Sequence, residues 1–210
     1  MKAISKTGLH LEPYRQLCCA MGLMLWSASS VAMAAVDEHK VACTASQAAI
    51  ANQAMADAKS ALSAASRSFT VNTPVDKQIK WFGALNSSSA DAVKKVYDAA
   101  TGAATFTVFW CPVRNDLEFK WDVGDLAAVH PSVPGAIFLT PDFFKLQTTG
   151  SDSQRGTIIH ELTHIVGIGL RPEVYGSALT KVLAATDPVK SRRNSDNYQY
   201  YIEDLIFGLK

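Results

Sequence analysis

Gly156-Thr157-Ile158-Ile159-His160-Glu161-Leu162-Thr163-His164-Ile165-Val166-Gly167-Ile168 is the stretch around which the rest of the chain is read. An α-helix turns once in 3.6 residues, so residues four apart share a face. His160 and His164 can therefore direct two imidazoles at one point, with Glu161 flanking it. Two neutral imidazoles and a neighbouring carboxylate are the parts of a catalytic zinc site. The histidines hold Zn²⁺, and the glutamate takes a proton from the water that the metal activates. With 5 His in 210 residues and six Glu, the pattern arises by chance roughly 0.003 times per chain, so coincidence explains it poorly. Ile158, Ile159, Leu162, Ile165 and Val166 are the apolar residues of a buried helix. Two histidines on such a helix need a reason. The competing explanation is a pair of core histidines satisfied by hydrogen bonds beside an unrelated glutamate.

A chain of 210 residues has room for one domain behind a leader. The first 34 residues have the form of a secretory signal: Lys2, Lys6 and Arg15, then an apolar run over 17–31, then Ala32-Met33-Ala34 as a small-x-small cleavage site. An uncleaved anchor over 17–36 is the alternative. The expected organisation is a signal peptide over 1–34 and a single zinc metallopeptidase domain over 35–210, secreted or periplasmic and monomeric, with no stable membrane association once the signal is removed. Removing residues 1–34 leaves 17 basic against 18 acidic residues, which gives no electrostatic footprint for nucleic acid. Two cysteines then remain, Cys43 and Cys111. An exported chain with two cysteines is expected to join them. The bridge would close a separation of 68 residues, worth roughly 4 kcal/mol by chain entropy.

Val41, Ala45, Ala48, Met55, Ala58, Leu62, Ala65 and Phe69 fall at helical spacing, as one long helix or two stacked pieces. Thr73-Pro74 breaks the chain. Trp81 and Phe82 are expected in the core. Ser87-Ser88-Ser89 is the expected N-cap of a second helix. Strands are expected over 105–110, 117–123, 127–130 and 136–140, bounded by Pro, Gly and Asn-Asp. Serines or the aspartate of 148–153 can cap the histidine helix, and Gly167 and Gly169 stop it. Helices are expected over 174–185 and 196–208, with Asp187-Pro188 as a cap followed by proline. Helices, then a small and mostly antiparallel sheet, then helices make the class α+β.

A catalytic zinc has three protein ligands and a water. Two histidines leave one ligand to find. The downstream carboxylates are Glu173, Asp187, Asp196, Glu203 and Asp204; His39 and His130 lie upstream. Glu173 follows the glycine break, where a turning chain can return to the metal.

The chain resembles the deuterolysin and peptidyl-Lys metalloendopeptidase family, the aspzincins. That family has a Gly-Thr-h-h-His-Glu-x-x-His helix, h being apolar, followed by Gly-Thr-x-Asp-x-x-Tyr-Gly. Residues 156–164 match the first part, and Gly169 and Tyr175-Gly176 the ends of the second. Cys43 with Ser46-Gln47, Trp81-Phe82-Gly83, the loop 148–153, Asp187-Pro188 and the segment 194–198 are similar to further family segments, in order. The second motif departs from the pattern. Counted back from Tyr175-Gly176 the family's ligand aspartate falls on Pro172; counted forward from His164 it falls on Glu173.

What the resemblance implies is a zincin-like fold and a secreted endopeptidase with one Zn²⁺ per chain, acting on protein or peptide substrates. His160, His164 and Glu173 are the expected ligands, Glu161 the general base, and Tyr175 a donor to the oxyanion. Lysine-cleaving relatives place two acidic residues in the pocket for the residue after the cut. Asp196 keeps the first and Gln199 replaces the second, so lysine selection rests on Asp196, which equally suits the N-cap of the last helix. An edge strand, taken as 136–140, would hold the substrate extended. The alternative is a catalytically weakened homologue that acts as a zinc- or peptide-binding module.

Overall fold

The computed structural model describes residues 40–69, 75–112 and 125–209. The expected signal segment, Pro74 and the strand expected over 117–123 lie outside the described residues.

Helix α1, Ala45–Ser68, is a single unbroken helix. It starts at 45 because Thr44 and Gln47 form a reciprocal capping box, which satisfies two otherwise orphaned backbone donors. Its buried face is mostly alanine, with Met55 and Leu62, and small side chains let neighbouring helices approach closely. Helix α2 is Val75–Phe82 and helix α3 is Ser87–Ala103. The cap of α3 is Asn86, one residue before the expected serines, with Ser89 closing the box from inside the helix.

Strands β1 (Val108–Trp110), β2 (Ala127–Ala128) and β3 (Ala136–Leu139) form a sheet in the order β1-β3-β2. β1 runs parallel to β3, with Val108 opposite Ala136, and β2 runs antiparallel to it. The sheet is therefore mixed, where a mostly antiparallel one was expected. Side-chain alternation reports which face is buried but carries no information on strand direction. A second expectation also changes. β3 is paired on both sides and fully buried, so 136–140 cannot accept an added strand. The edges of the described sheet are β1 and β2.

A 3-10 turn, Phe143–Lys145, leads to the histidine helix α4, Gln154–Ile165. Helices α5 (Ser177–Thr186), α6 (Pro188–Ser191) and α7 (Ser195–Phe207) complete the described chain. α5 begins three residues later than its periodicity indicates, because Gly176 sits at φ 87° and Asn194 clamps the backbone of Val174. Asp187 caps α6 through the amide of Lys190, with Pro188 in the first turn as expected. No helix among the described residues is long and apolar enough to cross a membrane.

The core lies where α1, α2, α3, α4 and α7 meet. Trp81, Phe82, Tyr97, Tyr198 and Tyr201 are buried there, in edge, tilted and stacked contacts between 5.0 and 6.1 Å when Phe69 and Tyr200 are included. Trp81 donates its indole hydrogen to Asp204 Oδ2 at 2.8 Å, and Lys80 reaches the same oxygen at 3.0 Å. Cys43 and Cys111 are joined, tying the entrance of α1 to the end of β1.

Candidate metal centre

Helix α4 is entered through a tightly held turn. Ser153 caps it by accepting from the amide of Gly156 at 3.0 Å. Glu203 of α7, fully buried, accepts from the Ser153 amide (3.1 Å), the Ser153 hydroxyl (2.9 Å) and the Asp152 amide (3.2 Å). A carboxylate at a helix N-terminus meets free amide hydrogens and the positive end of the dipole. Burial outweighs those bonds and pushes the Glu203 carboxyl up to about 7. The contact is close. A Cβ on Gly156 would lie 2.1 Å from Glu203 Oε1 and 2.9 Å from Gln199 Nε2, so α4 and α7 meet there because residue 156 has no side chain.

One turn along, Ile158, Ile159 and Leu162 face the core, and His160, Glu161 and His164 face a cleft of about 1090 Å³. The Nε2 atoms of His160 and His164 are 3.1 Å apart. Past the helix stop at Gly167 (φ 89°), the chain returns and sets Glu173 Oε2 3.3 Å from His164 Nε2 and 3.8 Å from His160 Nε2. A tetrahedral ion bound at about 2.0–2.1 Å separates its ligands by roughly 3.3 Å. The three distances fit that geometry. Among the described residues this is the one group of His, Cys, Asp and Glu side chains close enough together to hold a metal ion.

The outer nitrogens explain the inner ones. His160 Nδ1 is 2.7 Å from Asp196 Oδ1, and His164 Nδ1 is 2.8 Å from the carbonyl of Ile168, with the Ser195 hydroxyl at 3.2 Å. A carbonyl only accepts, so His164 Nδ1 carries a hydrogen; the carboxylate asks the same of His160. In the neutral rings both Nε2 lone pairs then point at one another. Such a pair needs a cation between its members, either a metal or a proton. Without metal, burial opposes a proton on His160, but the bond to Asp196 and the charges of Glu161, Asp196 and Glu173 prevail, and the imidazole is pushed up to about 9. Burial likewise opposes charge on Glu173, but His164, His160 and the Ser195 amide hold its carboxyl down at about 2. This donor set suits zinc.

Burial pushes the Glu161 carboxyl above its usual range, only partly countered by the two histidines, which makes it a better proton acceptor. Tyr175 stacks on His160 with ring centroids 6.0 Å apart and donates to Glu173 Oε2 at 3.1 Å. It is 61% exposed at the cleft. Partial burial and the nearby carboxylates hold its phenol protonated, as a donor.

The five downstream carboxylates divide their duties. Glu173 joins the histidines. Asp196 holds His160 and, through Oδ2, the Gly176 amide at 2.7 Å. Glu203 holds the start of α4, Asp204 binds Trp81, and Asp187 caps α6. Asp196 is not the N-cap of the last helix; that position is Asn194, and Asp196 lies in the first turn. His130 accepts from the Ser132 amide and is not in the metal group, and His39 lies outside the described residues. Gln199 lines the cleft beside Asp196. Sequence reasoning named Asp152 as a candidate cap and Glu203 as a candidate ligand, not in the roles they fill, and passed over Tyr200. Their only signal was the Asp and Ser content of the capping loop.

A family model described as lysine-specific metallo-endopeptidase, the aspzincin family, matches residues 68–203. Over 137 residues the chain is 34% identical to a peptidyl-Lys metalloendopeptidase of Grifola frondosa, covering 64% of this chain and 37% of that protein. It is 33% identical over 129 residues to an extracellular protease of Aeromonas hydrophila, covering 59% of this chain and 34% of that protein. The chain thus spans about a third of the length of these two relatives. A zinc peptidase from Grifola frondosa shares its fold, with a TM-score of 0.68 and 29% identity over 79% of this chain and 99% of that one.

Proposed function

The chain belongs to the aspzincin family, and from that premise we propose that it is a secreted, zinc-dependent endopeptidase with Glu161 as general base and a preference for lysine after the cut. The observation that carries the reading is the convergence of His160 Nε2, His164 Nε2 and Glu173 Oε2 within 3.8 Å of one another, with a buried glutamate next in sequence to the first.

Bound at these three atoms, zinc would polarise the scissile carbonyl and lower the pKa of the attacking water. Glu161 takes the proton of that water and passes it to the leaving amine. Tyr175 turns its hydroxyl from Glu173 to the developing oxyanion. The free edge of β2, with residues 125–129 along the cleft, holds the substrate backbone by strand addition. Asp196 keeps His160 in the tautomer that leaves Nε2 available.

The Cys43–Cys111 bridge and the name of the Aeromonas hydrophila relative support export. The closeness of Glu173 to both histidines supports a complete donor set and weighs against a weakened zinc-binding homologue. The test is chelator-sensitive cleavage of casein by the purified protein, restored by zinc and abolished in Glu161→Gln with zinc content unchanged. Cleavage that survives Glu161→Gln sinks the mechanism.

A further inference from the structure

Beneath the cleft wall that precedes α4 lies a carboxylate with no share in the metal chemistry. Glu203 is 0% exposed, and both of its oxygens are taken. Oε1 accepts from the amide and the hydroxyl of Ser153, at 3.1 and 2.9 Å, and Oε2 accepts from the amide of Asp152 at 3.2 Å. The backbone of α4 at Gly156 stands against Oε1, so close that a Cβ there would lie 2.1 Å away. Among the described residues no cation pairs with Glu203. The titratable groups that face it are Asp152 of the capping loop and Tyr200 of α7. Arg155 of α4 lies over Phe207 instead, and Lys77 and Lys80 of α2 bind Asp204. Lys181 of α5 lies over Trp81, and α1 presents Ser68, bonded to Tyr201.

A carboxylate only accepts, whereas a carboxylic acid turns one oxygen into a donor. Two donors meet Oε1 and one meets Oε2. A proton therefore settles on Oε2, where it faces the Asp152 amide, donor against donor. The bond lost is the one that holds Asp152. That residue stands at positive φ (53°), accepts from the Tyr200 hydroxyl, and with Tyr200, Thr157 and Gln199 lines one end of the cleft. The metal donors are held by other partners: His160 by Asp196, His164 by the carbonyl of Ile168, and Glu173 by the amide of Ser195. Burial raises the Glu203 carboxyl, the bonds from Ser153 and Asp152 oppose the rise, the charge of Asp152 adds to it, and the group titrates at about 7. Both forms are populated around neutral pH.

We propose that Glu203 is a positioning residue: ionised, it fixes the Asp152–Tyr200 wall for substrate, and a proton on it frees that wall while the metal donors stay in place. The role in substrate binding rests on the endopeptidase reading above. Release of the wall is a property of the fold and is read separately.

Peptide cleavage by zinc-saturated protein, followed from pH 8 to pH 6, separates KM from kcat. In the wild type KM should rise roughly tenfold as Glu203 gains its proton, the effect of one lost charge-assisted hydrogen bond. Glu203→Gln cannot titrate. Its KM should be high and flat over this range, with bound zinc and the pH dependence of kcat as in the wild type. Tyr200→Phe leaves Glu203 intact and cuts the wall from Asp152. It should flatten KM in the same way, so the assignment is decided even where Glu203→Gln fails to fold. A flat KM in the wild type, a step that persists in either variant, or zinc lost from folded Glu203→Gln overturns it. Should the zinc-loaded wild type cleave nothing, the endopeptidase reading falls and amide hydrogen exchange decides this one. The protection factor of the Asp152 amide should then drop about tenfold between pH 8 and pH 6, and unchanged protection overturns the assignment.

Discussion

The Nε2 atoms of His160 and His164 face one another at 3.1 Å while both Nδ1 atoms are engaged elsewhere, so the pair is arranged around a positive charge. Zinc and a proton compete for that place. With the metal-free His160 pushed up to about 9, zinc must displace a proton at any lower pH. Apparent zinc affinity should fall about tenfold per pH unit for each proton displaced. Competition with a chromogenic chelator between pH 5.5 and 8.5 measures the slope; a flat profile contradicts it.

Glu173, the proposed third donor, comes from a turn rather than from a helix. Truncation in Glu173→Ala leaves two imidazoles, and zinc affinity should fall by roughly a hundredfold or more, with cleavage lost in parallel. Glu173→Asp pulls the carboxylate back by one methylene and should bind zinc more weakly than wild type, because Ser195 fixes the other oxygen at 3.0 Å. Equal zinc content in wild type and Glu173→Ala under limiting metal would assign the third ligand elsewhere.

Asp196 sets the tautomer of His160. Asp196→Asn keeps the volume and the bond from Gly176 but weakens the pull on the Nδ1 hydrogen. Zinc affinity should drop by about 10- to 100-fold. Normal zinc binding in this variant would separate Asp196 from the metal.

Stability should respond to pH with opposite slopes in the two metal states. His160, raised to about 9, stabilises the metal-free fold fully below its unfolded value near 6.5 and loses that contribution as pH rises through 9. Glu203, raised to about 7, acts in the same direction, since the fold prefers it protonated. Metal-free protein should therefore melt at a lower temperature at pH 9 than at pH 6. Zinc-loaded protein should gain from the same change, as the imidazoles are freed for the metal. Thermal melts with chelator and with zinc test this; parallel slopes would refute it.

Gly156 marks the closest approach of α4 to α7. Gly156→Ala places a methyl group 2.1 Å from Glu203 Oε1, and relief requires moving a buried carboxylate that holds two amides. The cost should be about 1–3 kcal/mol, against the gain that alanine gives in an open helix. Denaturant unfolding measures it, and a stabilised variant would show that the two helices separate freely.

The helices and their order were legible because apolar residues recur every three to four positions and caps mark their ends. Ser153 and Asp187 are local signals, read from neighbours in sequence. The convergence of the candidate ligands was legible for the same reason: His160 and His164 share a turn, and Glu173 follows within one loop. What stayed hidden depends on residues far apart in the chain. The direction of β1 against β3, the burial of 136–139 on both sides, and the pairing of Asp152 with Tyr200 and Glu203 are set by packing, which periodicity does not record. Asp196 was expected either in a lysine pocket or as the cap of the last helix; it is not that cap, and it holds His160. An aspartate in the first turn of a helix looks the same in sequence whether it caps that helix or holds an imidazole on another.

Helix α7 supplies Asp196 to the imidazole, Tyr200 to the cleft wall and Glu203 to the start of α4. The donors themselves all lie earlier, between His160 and Glu173. A chain built from its N-terminus thus carries every metal-binding atom some twenty residues before it carries the residues that aim them. During synthesis the emerging polypeptide would hold the proposed zinc donors before the residues that keep them in register. Assembly of the proposed centre therefore waits on α7, which follows its donors in the chain.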